Sequence, residues 1–143
     1  MSVKKKILYV SLRSGFGGAT MHIDQLVQNF NNNYEIYCAA PIEEPYGVEW
    51  FEKLGNKKYL KLPYRSFSLK YLFRLISFIK KNKIDIIHAH GKGAGIYARL
   101  AKVFTPNTFL VLVIWNSHYK HSHMCNGCFM LVSLSKIEGN YNQ

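Results

Sequence analysis

Apolar residues in this chain gather into short runs separated by longer stretches of helical period. Ile7-Leu8-Tyr9-Val10 follows three lysines and ends in Arg13-Ser14-Gly15-Phe16-Gly17-Gly18, which predicts a strand and then a glycine loop. Met21, Ile23, Leu26, Val27 and Phe30 fall near helical spacing, and Asn31-Asn32-Asn33 stops them. Tyr34–Ala40 reads as a second strand closed by Pro41, and Val48–Leu54 as a short helix ended by Gly55-Asn56. Lys58–Leu62 reads as a third strand closed by Pro63. Ser68–Lys83 is the clearest helix: Leu69, Leu72, Phe73, Ile76 and Ile79 form its stripe, Ser66 or Ser68 caps it, and Lys80, Lys81 and Lys83 suit its C-terminal dipole.

Ile84–Ala89 is a fourth strand, followed by a glycine-rich turn and a helix over Gly95–Val103. Phe109–Trp115 is a fifth strand, apolar on both faces as in a covered parallel sheet, and Phe129–Ser133 a sixth. Strictly alternating strands and helices predict an α/β, Rossmann-like parallel sheet with helices on both faces, joined by right-handed crossovers. Ligands then sit outside the carboxyl ends of the strands, at the loops after Leu12, Ala40, Leu62, His90, Trp115 and Ser133.

Length and composition bound the function. The 143 residues make one domain, 48% apolar and 19% charged, as in globular proteins. The longest apolar run is far short of the ~20 residues of a membrane-spanning helix. Arg13 interrupts the N-terminal apolar stretch too early for a secretory signal, so a cytoplasmic protein is expected. Three cysteines, Cys38, Cys125 and Cys128, do not make a disulfide scaffold. The formal charge of +11 favours anionic partners: nucleic acid, anionic lipid or phosphorylated substrates.

Two constellations carry chemistry. In Ser14-Gly15-Phe16-Gly17-Gly18-Ala19-Thr20, glycines let backbone N–H groups approach a ligand, and the helix start favours an anion. It is not a dinucleotide fingerprint, because Thr20 stands at the third glycine position and no acidic residue ends the second strand; nor is it a P-loop, lacking Gly-Lys-Ser/Thr. The plain alternative is a tight turn. In Ile84-Asp85-Ile86-Ile87-His88-Ala89-His90-Gly91-Lys92-Gly93-Ala94-Gly95, His88 and His90 share one face of a strand at its carboxyl end, with glycines and Lys92 behind them. A ligand rich in phosphate or hydroxyls suits that edge; otherwise the histidines only bind neighbouring loops.

Lys6-Ile7-Leu8-Tyr9-Val10, Gly17-Gly18-Ala19, the Ile84–His90 strand with its Gly-Ala-Gly, and Ala98-Arg99-Leu100-Ala101 together resemble the N-terminal half of family 4 glycosyltransferases with GT-B architecture, over residues 4–103. The resemblance implies two Rossmann-like domains across a cleft, this one holding the acceptor and the other a nucleotide-sugar donor as co-substrate, with no cofactor. It implies transfer with retention, without a metal, to a cell-surface glycan or lipid-linked acceptor. Carried onto this chain, Gly17 and Gly18 flank donor phosphates and acceptor, and His88, His90, Gly91 and Lys92 line the acceptor side. Two departures stand out. Similar proteins place a His-Gly pair after the fifth strand, where this chain has Trp115-Asn116, leaving His118 as a catalytic candidate without an assigned role. Leu131–Glu138 resembles the family's last N-domain strand, but the stretch between His118 and Phe129 is short. The sequence stops at Gln143, before any donor-binding half, so negligible transferase activity is expected of this chain alone; it reads as a truncated product or as a subunit that pairs with a separate donor-binding chain.

Other signals compete. His118, His121, His123, Cys125 and Cys128 lie within eleven residues and include a Cys-x2-Cys spacing. Zinc ligand pairs usually lie farther apart, so these five are candidates only and no metal is assigned. Lys70, Arg74, Lys80, Lys81 and Lys83 beside Tyr71, Leu75 and Phe78 invite an anionic membrane surface, against the simpler reading of a helix packed on the sheet. Basic residues are spread along the chain without a recognised nucleic-acid motif, so no specific nucleic acid is expected, a basic binding module being the rival class. Tyr9, Phe30, Tyr34, Tyr59 and Phe73 read as core or core-edge aromatics, and Asp85 as a strand-opening turn residue. No carboxylate pair with catalytic spacing is evident.

Overall fold

Short apolar runs with β-formers and amphipathic stretches between them settle into five strands and four helices in the computed structural model, which describes residues 4–29 and 34–113. In chain order they are β1 (Lys5–Ser11), α1 (Gly18–Asn29), β2 (Tyr34–Ala40), α2 (Tyr46–Lys58), β3 (Tyr59–Lys61), α3 (Leu69–Asn82), β4 (Ile86–His90), α4 (Lys92–Phe104) and β5 (Phe109–Val113). All neighbouring strands are parallel, in the order β3-β2-β1-β4-β5. This is the expected Rossmann-like sheet.

Alternation along the strands divides the core. Leu8, Val10, Tyr37, Ala39, Ile87, Ala89, Leu110 and Leu112 face Leu72, Leu75, Ile76 and Ile79 of α3 and Ala94, Tyr97, Ala98 and Ala101 of α4. The small residues on α4 let that helix lie close to the strands. On the other face Ile7, Tyr9, Cys38, Ala40 and Tyr59 meet Ile23 and Val27 of α1 and Trp50 of α2. Each large side chain so enclosed contributes roughly 1.5–3 kcal/mol. Asp85 ties the strand starts together: its carboxylate accepts the Lys6 N–H at 2.7 Å, and its carbonyl accepts the Phe109 N–H at 2.7 Å.

Element ends follow local chemistry. Gly55 interrupts α2 at φ 70°, ψ 171°, where Gly55-Asn56 was expected to end it, and the chain re-enters helix briefly before β3. Ser68 occupies the N-cap of α3 but its hydroxyl makes no capping bond; its N–H donates instead to the Tyr97 hydroxyl at 2.7 Å. Lys83 closes α3 in the left-handed region, at φ 53°.

The stripe expected on α3 is rotated. Leu72, Leu75, Ile76 and Ile79 are buried, whereas Leu69 and Phe73 are 62% and 63% exposed. Leu75 is core and Tyr71 and Phe78 pack against that core, as the simpler reading of a helix packed on the sheet has it. Tyr9 and Tyr59 are buried, but Tyr34, like Phe73, is exposed rather than core. Phe30, the Trp115 end of the fifth strand and the sixth strand at Phe129–Ser133 lie outside the described residues. No helix among the described residues is long and apolar enough to cross a membrane.

Candidate functional site

Strand order reverses at β1. β2 pairs on one side of it and β4 on the other, with Ser11 level with His90 in the register. Connections leaving β1 and β4 therefore diverge to opposite faces of the sheet and leave a crevice between them, the place where open α/β sheets hold ligands. A cleft of about 470 Å³ occupies it, lined by residues 11–13, 16–20, 65 and 90–94.

The first wall is a knotted loop. Ser14 is fully buried; its N–H donates to Glu43 Oε2 at 3.1 Å, and its hydroxyl donates to the Pro41 carbonyl at 2.7 Å and accepts the Glu43 N–H at 3.2 Å. The loop after β1 is thus bound to the loop after β2. Thr20 explains the missing third glycine: its buried hydroxyl lies 2.6 Å from the Gly15 carbonyl and 2.8 Å from that of Gly17, sharing its proton between them. Gly17 and Gly18, on this wall, expose backbone at the start of α1.

A Cβ at Gly17 would meet only Thr20 Oγ1, at an ordinary 3.6 Å, so the fold tolerates a side chain there. Gly17→Ala is expected to unfold within about 1 kcal/mol of the parent. If the glycine keeps backbone open to a ligand, the same change weakens binding of pyrophosphate to the cleft about tenfold. Urea denaturation and calorimetric titration check the two halves.

The second wall is the β4–α4 junction. Gly91 takes φ 89°, a conformation side chains resist, and donates its N–H to Val113 at 2.8 Å. Lys92 stands exposed at the first turn of α4. Free first-turn N–H groups of α1 and α4 both open onto the cleft, and Arg13, Arg65 and Lys92 add full positive charges at its rim. Among the described residues no carboxylate lines it. This arrangement of cations and helix starts in the outer cleft suits an anion.

Its inner end is neutral. The His90 ring, nearly fully buried, lies 4.5 Å from the His88 ring and 5.3 Å from that of His22 on α1. Burial, with the neighbouring histidines adding to it, pulls the His90 pKa down to about 3; burial and His22 pull His88 down to about 4. Both imidazoles are neutral at pH 7, each with one donor and one acceptor nitrogen. Neither His90 nitrogen, nor His88 Nε2, nor His22 Nδ1 has a hydrogen-bond partner among the described residues. Such a group suits a hydroxyl better than a phosphate.

Of the six substrate-binding candidates, Gly17, Gly18, His90, Gly91 and Lys92 meet in this cleft, while His88 does not line it and instead lies with its ring against that of His90. Arg13 and Arg65 are additions. Arg13 was legible in the sequence, since it opens the loop after Leu12, at a strand's carboxyl end. Arg65 was not: the β3–α3 connection carries it across the sheet edge, where its N–H donates to the Leu12 carbonyl at 3.1 Å and its φ is 45°. Among the described residues no group of three histidine, cysteine or acidic side chains is arranged to hold a metal. His118, His121, His123, Cys125 and Cys128 lie outside the described residues. Cys38, within them, is buried, which pushes its thiol well above the usual range.

No curated protein matches the sequence. Among solved structures, dTDP-glucose 4,6-dehydratase (rfbB) from Bacillus anthracis str. Ames, in complex with NAD, is similar in fold, with a TM-score of 0.52 at 13% identity over 88% of this chain. The chain spans 43% of that protein, and the likeness speaks for the Rossmann-like fold alone. The sequence profile of Glycosyltransferase Family 4 matches residues 16–124, from within the glycine loop, through the His90 turn and past β5. With most of its length matched, the chain belongs to glycosyltransferase family 4.

Proposed function

We propose that this domain is the acceptor-holding half of a sugar-transfer enzyme, in which a nucleotide-sugar donor rests mainly on a second domain or a separate donor-binding chain. The observation that carries the reading is the meeting of Gly17-Gly18 with His90-Gly91-Lys92 in one cleft of a family 4 chain. The cationic rim and the two helix starts suit the phosphates of the donor at the edge of the cleft. The buried neutral imidazole of His90 suits an acceptor hydroxyl, which it would orient through a nitrogen that has no protein partner among the described residues. We place the acceptor among cell-surface glycans and lipid-linked sugars.

Rate acceleration requires stabilising charge on the leaving diphosphate and on the oxocarbenium-like sugar. Arg13, Arg65 and Lys92 supply part of the first. Among the described residues no carboxylate in the cleft supplies the second, so the isolated chain is expected to bind without catalysing transfer.

Titration with uridine diphosphate, followed by amide NMR, tests this. Shifts are expected at residues 17–20 and 91–94, and Arg65→Ala should weaken binding about tenfold by removing a charge-assisted contact. Shifts confined to another surface, or sugar transfer by the 143-residue chain alone, would overturn the reading.

A further inference from the structure

We propose that the Phe16 ring is a stacking platform for a pyranose, so that the acceptor entering the cleft presents a sugar ring with an unbroken face of C–H bonds. The choice of ligand rests on the sugar-transfer reading and narrows it. Phe16 lines the cleft and is 76% exposed, the most open of the large apolar side chains among the described residues.

The loop imposes that exposure. The Thr20 hydroxyl holds the carbonyls on either side of Phe16, those of Gly15 and Gly17. Ser14, fully buried, ties the same loop to Pro41 and Glu43. Backbone clamped at both ends cannot turn the ring inward. Three rings then connect it to the core. Phe16 meets Tyr46 at 6.0 Å with the planes at 74°, and Tyr46 stacks on Trp50 at 6.0 Å. Trp50 is buried and donates its indole N–H to Asp24 of α1 at 3.0 Å. An exposed phenylalanine on a loose loop would lose conformational freedom on binding. One braced in this way has already lost it, so a ligand laid on it gains the contact at little entropic cost.

The other groups of the cleft choose the ligand. An aromatic face is partly negative, and the C–H bonds on one face of a pyranose are partly positive, so the two stack. Hydroxyls around the sugar's rim then need polar partners. His90, neutral and with neither ring nitrogen bonded among the described residues, is one, and the backbone exposed at Gly17 and Gly18 is another. A uracil would stack as well on Phe16. Its edge, however, presents a donor between two acceptors, which a side-chain amide matches, and among the described residues no amide lines the cleft.

Saturation-transfer NMR on the full chain tests this, with methyl β-D-glucopyranoside, methyl β-D-galactopyranoside and methyl α-D-mannopyranoside as probes and uridine diphosphate in parallel. Transfer is expected for at least one glycoside, strongest at the hydrogens of one ring face. Phe16→Ala should weaken binding of that glycoside about tenfold and Phe16→Tyr less than about threefold, while uridine diphosphate binding changes less than about threefold in both. The ring is exposed, so the urea midpoint of Phe16→Ala should match the parent's. Absence of transfer to all three glycosides, or binding unchanged in Phe16→Ala, would overturn the proposal. So would equal loss of uridine diphosphate in Phe16→Ala, since the ring would then stack the base, or a parent dimer that Phe16→Ala dissolves, since a second copy would then cover the ring. Each of these leaves uridine diphosphate bound by the parent; a parent that does not bind it overturns the sugar-transfer reading instead.

Discussion

Acidifying the protein from pH 7 to pH 5 is expected to remove on the order of 3 kcal/mol of folding stability, through two imidazoles. An unfolded histidine takes up a proton near pH 6.5. Folded His90 does so only near pH 3 and folded His88 near pH 4, because both rings are held out of water beside other histidines. Between those values the unfolded chain binds protons that the native fold refuses, so stability is whole above pH 6.5 and falls as pH drops toward 4. Each ring contributes at most about 1.4 kcal/mol per pH unit. Glu35 acts in a different window: its hydrogen bond to Lys58 lowers its pKa from the usual 4.5, so its contribution fades only in stronger acid. Urea midpoints at pH 7, 6 and 5 check the expectation, and His90→Leu should roughly halve the slope. A flat profile, or an unchanged slope in the variant, would contradict it.

The same variant separates stability from use. Leu is close to His in volume and leaves no polar atom stranded, so His90→Leu should be at least as stable as the parent at pH 7. Pyrophosphate or acceptor binding lost in a variant that folds as well as the parent would assign the polar ring to the proposed acceptor site rather than to the fold.

Much of this was legible from the residues. Tyr34–Ala40 forms β2 over those same bounds, because Asn31-Asn32-Asn33 and Pro41 are local punctuation on either side of a run rich in β-formers. His88 and His90 could be placed at a strand's carboxyl end because period two fixes their shared face. Which of the two lines the cleft could not be read: that depends on where β1 and α1 stop covering β4. The α3 stripe had the correct period and the wrong phase. Leu69 and Phe73 satisfy helical spacing as well as Leu75 does, and only the sheet beneath decides which edge of a broad apolar arc is buried. Arg65 and the Ser14–Glu43 knot are tertiary facts, joining residues 53 and 29 positions apart through backbone and side-chain hydrogen bonds that no local pattern encodes.

Gly47→Ala is expected to destabilise the fold by about 3 kcal/mol and lower Tm by roughly 10 °C. Gly47 is buried in the first turn of α2. A Cβ there would lie 2.3 Å from Ser14 Oγ, 2.9 Å from Ser14 Cβ and 2.6 Å from the Pro41 carbonyl oxygen. None of these neighbours yields cheaply. Ser14 Oγ is held by its bonds to Pro41 and Glu43, and the Pro41 carbonyl also accepts the Tyr59 hydroxyl at 2.8 Å. Relief requires breaking one or two buried hydrogen bonds, each about 1 kcal/mol, and moving backbone as well. Alanine's better helix propensity offsets at most about 1 kcal/mol of that. Gly55 is the useful contrast: its φ of 70° makes Gly55→Ala strained, but nothing lies within 4 Å, so about 1–2 kcal/mol is expected. If close approach is what Gly47 provides, adding Ser14→Gly to Gly47→Ala removes two of the three clashes and recovers part of the loss. A Gly47→Ala protein as stable as the parent would mean that the loops after β1 and β2 are not locked together, and that the first wall of the cleft is not held in place by its own backbone.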